Sequence, residues 1–216
     1  MQLNYTPEQQ SFRAEVRSWM EANVPKKPLV TLECREGYDQ HVEWEHKLAS
    51  GNWGMVTWPE IYGGRGLDLI QWLIFEEEYF RAGAPNRANQ NGIFLLGPTI
   101  MEFGTEEQKA RFLTPMAQGE VIWAQAWSEP GAGSDMAAIT SKAVRGTDSE
   151  GDHYIITGQK TWSSRAAFAD WGFGIPEFDR GAVGGPGRGQ AAGDRSLACG
   201  AAIQRDCPVR REIDVV

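Results

Sequence analysis

The hydrophobic period of this chain changes once, near residue 120, and that change limits what the chain can fold into. Upstream, apolar residues recur at helical spacing. Downstream, short apolar and β-branched runs alternate with turn signals, as strands do. The pattern predicts an α+β fold. An all-α helical domain occupies residues 1–119, and antiparallel sheet follows over 120–175.

The helical part carries its own start signals. In "YTPEQQSFRAEVRSWM", Thr6 is placed to cap a helix, Pro7 to fill its first position and Gln9 to complete a capping box. Phe12, Val16 and Trp19 then share one face. A second helix is expected over about 39–50, with Trp44 and Leu48 inward and Glu43 and Lys47 outward, closed by Gly51. "GMVTWPEIYGGRGL" reads as a Gly/Pro-punctuated connection. Asp68 caps an apolar helix through Trp72, Phe75 and Phe80. Thr105 and Gln108 form another capping box in "TEEQKARFL", and Gly119 closes the segment.

"VIWAQAW" suits a buried strand. "TSKAVRG" and "DHYIITG" flank the turn signal "GTDSEG", and "QKTWSS" and "DWGFGI" are further strand candidates. After Ile175 the character changes. Residues 176–216 hold one aromatic, Phe178, and six basic against six acidic residues, so the whole net charge of −8 lies upstream. With no visible period and little to bury, this stretch is expected to be disordered. The abrupt change suggests an out-of-frame tail, which the coding DNA beyond codon 175 would test.

The acidic balance excludes a nucleic-acid partner held by phosphate contacts. Cys34, Cys199 and Cys207 lie far apart with no CxxC pair, which favours a reducing compartment over a disulfide framework or zinc site. The N-terminus shows no signal peptide and no apolar run is long enough to span a bilayer, so a cytoplasmic protein is expected.

Two stretches offer chemistry. In "SEPGAGSD", Gly131 and Gly133 remove side chains, so backbone can approach a ligand, and Ser128 and Ser134 add hydroxyls; a plain turn between strands is the alternative. In "GQKTWSS", a strand would point Trp162 and Ser164 the same way, toward a planar heterocycle; a core Trp beside a surface Ser is the alternative. Other signals are weaker. "GPGRGQAAG" lacks the strand and helix of a dinucleotide fingerprint. His41, His46 and His153 have no metal-ligand company. Glu76, Glu77 and Glu78 read as a solvated helix edge.

Taken in order, "TWPEIYGGRG", "GTEEQKARFLTPMAQGE", "AQAWSEPGAGSD" and "ITGQKTWSS" resemble the acyl-CoA dehydrogenase family over about residues 5–175. Trp127 departs from that pattern, which usually has a small aliphatic residue there. The resemblance implies FAD against a β-domain that forms an antiparallel barrel or sandwich. Gln125 and Ser128 would face the flavin ring and Ser134 would reach the pyrophosphate. Trp162 would pack on the flavin and Ser164 would hydrogen-bond near its reactive nitrogen. It also implies α,β-dehydrogenation of an acyl-CoA, with electrons leaving to an electron-transferring flavoprotein or similar acceptor.

Family members run to nearly twice this length, and their C-terminal helical domain carries the catalytic glutamate and builds the oligomer. None of that is recognisable here, so no catalytic base is assigned. The expectation is a truncated dehydrogenase, inactive alone. The alternative is a non-catalytic short form that binds flavin or acyl groups, or a partner subunit of a full-length paralogue.

Overall fold

A computed structural model describes residues 4–148, 151–178, 203–204 and 212–215. The chain divides into two compact units, one ending at Val121 and one beginning at Ile122.

The first unit is helical. Helix α1 (Pro7–Asn23) opens on the capping box of Thr6 and Gln9 and buries Phe12, Val16 and Met20. Helix α2 (Arg35–Ser50) begins earlier than its periodicity indicates, because Cys34 precedes it without a side-chain cap to mark the start. It turns Trp44 and Leu48 inward and closes at Gly51. Helix α3 (Leu69–Arg81) starts on a capping box of Asp68 and Gln71. Its core face is Ile74, Phe75, Glu78 and Tyr79, whereas Phe80 is exposed. Helices α4 (Gly97–Phe103) and α5 (Glu106–Ala117) follow, and α5 is capped by the Thr105–Gln108 box. A single wide turn, Gly92–Leu96, precedes α4 in π-helical form; no local signal in the sequence marks it.

Aromatic rings dominate the core between these helices. Trp53 stacks on Phe75 with centroids 5.7 Å apart, and Trp44 donates its indole N–H to the Tyr79 hydroxyl at 2.6 Å. Such rings bury large apolar areas at small entropic cost, so a few of them suffice for a core of this size. Gly119 ends the unit in the left-handed region at φ +72, a conformation that a Cβ disfavours.

The run Glu76–Glu78 is not a solvated edge. Glu78 is fully buried in the core face of α3 and accepts from Arg13, Arg17 and Arg81, with Arg17 Nη2 at 2.8 Å. The hydrogen bond from Arg17, ahead of the opposing effect of burial and with help from Arg81 and Arg13, lowers its carboxyl to about 2. Glu76 is half-buried and shifts the other way, raised by burial against the pull of Arg87. Only Glu77 is exposed. Likewise, His41 is buried with its two ring nitrogens against the carbonyls of Asn86 and Val30, and His46 faces that of Gly119.

The second unit is β-structure. Strands β2 (Lys142–Asp148) and β3 (Gly151–Lys160) pair antiparallel, with Val144 opposite Ile155. Strand β1 (Trp123–Ala126) lies parallel to β4 (Trp171–Gly174), with Gln125 opposite Phe173. Parallel pairing joins segments remote in sequence, so it is invisible to local periodicity. Strand β5 (Glu177–Phe178) adds to β2, β6 (Ile203–Gln204) to β4 and β7 (Glu212–Val215) to β3. The expectation of disorder over 176–216 falls mostly outside the described residues. Where residues of that stretch are described as elements they are strands, since pairing depends on remote partners that composition does not reveal. No helix among the described residues is long and apolar enough to cross a membrane.

Candidate functional site

Two loops of the second unit meet at their roots. The first leaves β1 after Ala126 and runs through "WSEPGAGSD". Glu129 and Ala132 exchange backbone hydrogen bonds of 2.8 and 3.1 Å, which closes a tight turn over Pro130 and Gly131. Asp135 then caps a short 3-10 turn by accepting from the Ala137 amide at 3.2 Å. The second loop leaves β3 after Lys160. Its first amide, Thr161 N–H, donates to the Ser128 carbonyl at 2.8 Å, so the start of each loop holds the start of the other.

Beneath this junction lies a buried ion pair that local sequence reading does not reveal. Lys160 Nζ sits 2.9 Å from Glu129 Oε1, with side-chain exposures of 5% and 3%. The same ammonium donates to the Trp127 carbonyl at 3.1 Å and the Ile175 carbonyl at 3.2 Å. Glu129 in turn accepts from the Thr140 amide and hydroxyl at 2.7 Å each, from the Ser141 amide at 3.0 Å and from the Ser141 hydroxyl. Burial opposes charge on the Glu129 carboxyl, but the bonds from Ser141, Thr140 and Lys160 outweigh it and hold the group well below the usual carboxylate range. The pair comes from the two quoted motifs, "SEPGAGSD" and "GQKTWSS", but Glu129 and Lys160 are 31 residues apart. The sequence shows Glu129 and Asp135 in the first motif and Lys160 in the second, and nothing local says which of them pair or that the pair is buried.

The expected site residues fall as follows. Gln125 is half-buried on β1, and Ser128 is half-buried with its carbonyl engaged by Thr161. Ser134 and Ser164 are exposed. Trp162 is 88% exposed. Ser128, Trp162 and Ser164 are thus brought to one junction through the Ser128–Thr161 bond. The period-of-two placement of Trp162 and Ser164 does not hold. Strand β3 ends at Lys160, and Trp162 sits beyond it in the left-handed region at φ +58. Arg165 repeats that conformation at φ +65, and short turn bonds, Ser164 N–H to Trp162 O and Ala166 N–H to Ser163 O, wind the segment back toward β4.

Four buried side-chain atoms on these two loops have no hydrogen-bond partner among the described residues: Trp127 Nε1, Thr161 Oγ1, Ser163 Oγ and Arg165 Nε. Buried polar atoms without partners are uncommon in native folds and mark places where a ligand or water completes the bonding. Gly131 and Gly133 add a second sign. A Cβ built on either meets nothing within 4 Å, and neither has a positive φ, so nothing within the described chain requires glycine at these positions. An open backbone face beside unpartnered donors and acceptors and an exposed indole suits a flat, polar-edged heterocycle with a phosphate-bearing tail. The donor set present fits FAD.

Residues 6–120 match the family model described as "Acyl-CoA dehydrogenase, N-terminal domain", and residues 124–183 match "Acyl-CoA dehydrogenase, middle domain". Acyl-CoA dehydrogenase IpdE1 of Mycobacterium tuberculosis is 36% identical over 178 residues, covering 80% of this chain and 45% of that protein. A chain of the ChsE4-ChsE5 complex from the same species superposes with a TM-score of 0.70 at 34% identity, over 86% of this chain and 46% of that one. An acyl-CoA dehydrogenase complexed with FAD from Bacillus anthracis gives a TM-score of 0.62 at 29% identity, over 82% of this chain and 29% of that one. The chain spans about half the length of the first of these relatives.

Proposed function

This chain belongs to the acyl-CoA dehydrogenase family, and from that membership we propose that its second unit forms part of a flavin site serving α,β-dehydrogenation of an acyl-CoA thioester. The observation that carries the reading is the Thr161–Ser128 backbone bond of 2.8 Å. It gathers the unpartnered Trp127, Thr161 and Ser163 atoms and the exposed Trp162 ring at one place.

FAD, when bound, supplies the hydride acceptor. The chain's own groups do the rest. The Trp162 ring offers an apolar plane to one face of a heterocycle. Ser128, Ser164 and the side chain of Gln125 offer donors toward its polar edge, where negative charge develops on reduction, and fixed donors stabilise such charge without reorganising. The open turn at Gly131 and Gly133, with Ser134, gives a pyrophosphate access to backbone.

Abstraction of the α-proton needs a carboxylate that can reach substrate. Glu78 is locked among three arginines and Glu129 among Lys160, Thr140 and Ser141, so neither is given that role. The acyl-CoA substrate, an acceptor of the electron-transferring-flavoprotein type and a cytoplasmic setting complete the proposal. A second reading, a subunit that works beside an unlike family member, is supported by the similarity to a chain of a two-component complex.

The test is the visible spectrum of the purified chain titrated with FAD. Saturable quenching of flavin fluorescence with a resolved, shifted absorption band is the expected result. Unchanged free-flavin spectra at saturating protein would sink the reading for this chain.

A further inference from the structure

We propose that Lys160 and Glu129 are positioning residues. They set the two loops against each other, and on the flavin reading above they thereby set the geometry of Ser128, Trp162 and Ser164. Three acceptors converge on Lys160 Nζ: the Trp127 carbonyl at 3.1 Å, Glu129 Oε1 at 2.9 Å and the Ile175 carbonyl at 3.2 Å. That satisfies all three donors of the ammonium. Glu129 spreads its two oxygens over Thr140 and Ser141, at the entry to β2. The pair therefore ties four separate stretches: residues 127–129, 140–141, 160–161 and the end of β4.

A core of the same volume does not need charge. A buried ion pair is often matched in stability by packed apolar side chains, because its attraction is offset by desolvation. Apolar side chains are not directional, however. An ammonium with three fixed acceptors accepts one arrangement of the segments that supply them. Both members of the pair lie near proposed flavin contacts: Glu129 follows Ser128, and Lys160 stands two residues before Trp162 and is bonded to the carbonyl of Trp127, the neighbour of Ser128. The loops that must hold their relative placement for a ligand are the loops the pair ties. The β2–β3 ladder, by contrast, has its own backbone bonds.

The inference is tested by amide hydrogen exchange on the intact chain carrying Lys160→Met, with Glu129→Gln as a second, milder variant. Protection at the Thr161 and Ser141 amides is expected to fall about tenfold or more while the amides bonded between β2 and β3, at alternate residues of the ladder, keep theirs. Lys160→Arg, which retains a buried cation, is expected to restore part of that protection. Protection lost uniformly across the unit would show an ordinary core pair and overturn the inference. Unchanged exchange at Thr161 would overturn it equally. In parallel, flavin affinity is measured for the parent chain and all three variants. A parent that ignores FAD defeats the flavin reading, whereas exchange still decides whether the pair sets the loops. A parent that binds FAD as tightly as Lys160→Met defeats the inference alone.

Discussion

Gly158 on β3 lies so close to Ser141 that a Cβ built on it would stand 2.3 Å from the Ser141 hydroxyl oxygen and 2.5 Å from its Cβ. Ser141 cannot easily retreat, because its hydroxyl and amide are both held by Glu129. The glycine is therefore a spacing device that lets the carboxylate knot reach the sheet. Gly158→Ala should destabilise the second unit by about 1–3 kcal/mol, the usual cost of forcing atoms into a filled core. Urea denaturation followed by far-ultraviolet circular dichroism checks this. A loss below about 0.5 kcal/mol would mean Ser141 moves freely and the knot is loose.

Glu78 gives the first unit a pH dependence of known sign. Its carboxyl is lowered from 4.5 to about 2, chiefly by Arg17. A carboxyl lower in the folded than the unfolded chain contributes its full stability above pH 4.5 and loses it as the pH falls toward 2. Arg17 and Arg81 are partly exposed, so solvent screens the pairs and the contribution is discounted to the order of 2 kcal/mol. Denaturation midpoints between pH 5 and pH 2, followed through Trp44 and Trp53 emission, should fall less steeply for Glu78→Gln than for the parent. Parallel curves would assign the acid sensitivity to other carboxylates.

Asp68 accepts from the Gln71 amide at 2.8 Å and Gln71 returns a side-chain bond to the Asp68 amide at 3.2 Å. Asp68→Ala removes the first of these and should cost about 1 kcal/mol of stability in the first unit. Thermal melts of the two proteins side by side measure it, and an unchanged midpoint would mean that α3 is held by packing alone.

That cap was legible in the sequence, as were those at Thr6 and Thr105, because a capping box is written within four adjacent residues. The strands around "WAQA" and "WGFG" were legible as strands for the same reason. What was not legible depends on residues brought together by the fold. Glu78 sits in a run of three glutamates whose composition signals a wet surface, and its burial is made tolerable by Arg13 and Arg17 of α1 together with Arg81 of its own helix. Glu129 and Lys160 are polar residues within loop-like motifs, and each is buried because the other is. Nothing in "KTWSS" announces that β3 stops at Lys160, so the sequence alone extends the strand through Trp162. The motifs point to Gln125, Ser128, Ser134, Trp162 and Ser164 by their own residues, whereas the Glu129–Lys160 pair between them is visible only in the fold.

Gly131 separates ligand binding from folding. It lacks a positive φ, and a Cβ there points into open space. Gly131→Ala should leave the apoprotein unchanged or up to about 1 kcal/mol more stable, since alanine has less chain entropy to lose. If backbone approaches a pyrophosphate at this turn, the same change weakens FAD binding. Paired melting and flavin titrations read both effects, and intact affinity would move the phosphate contact elsewhere.

Trp162 makes the sharpest case, because its conformation and its exposure both run against stability. A non-glycine residue in the left-handed region costs about 1–2 kcal/mol, and an indole that is 88% exposed recovers little of that by burial. Local strain of this kind persists where function needs it. Asparagine tolerates the left-handed region far better than tryptophan. Trp162→Asn should therefore hold or raise the apoprotein's melting temperature, yet weaken flavin binding by about fivefold or more through loss of ring stacking. Equilibrium denaturation and fluorescence titration of the same preparation give the two numbers. A loss of about 3 kcal/mol or more in the apoprotein would place the ring in the core and remove Trp162 from the site.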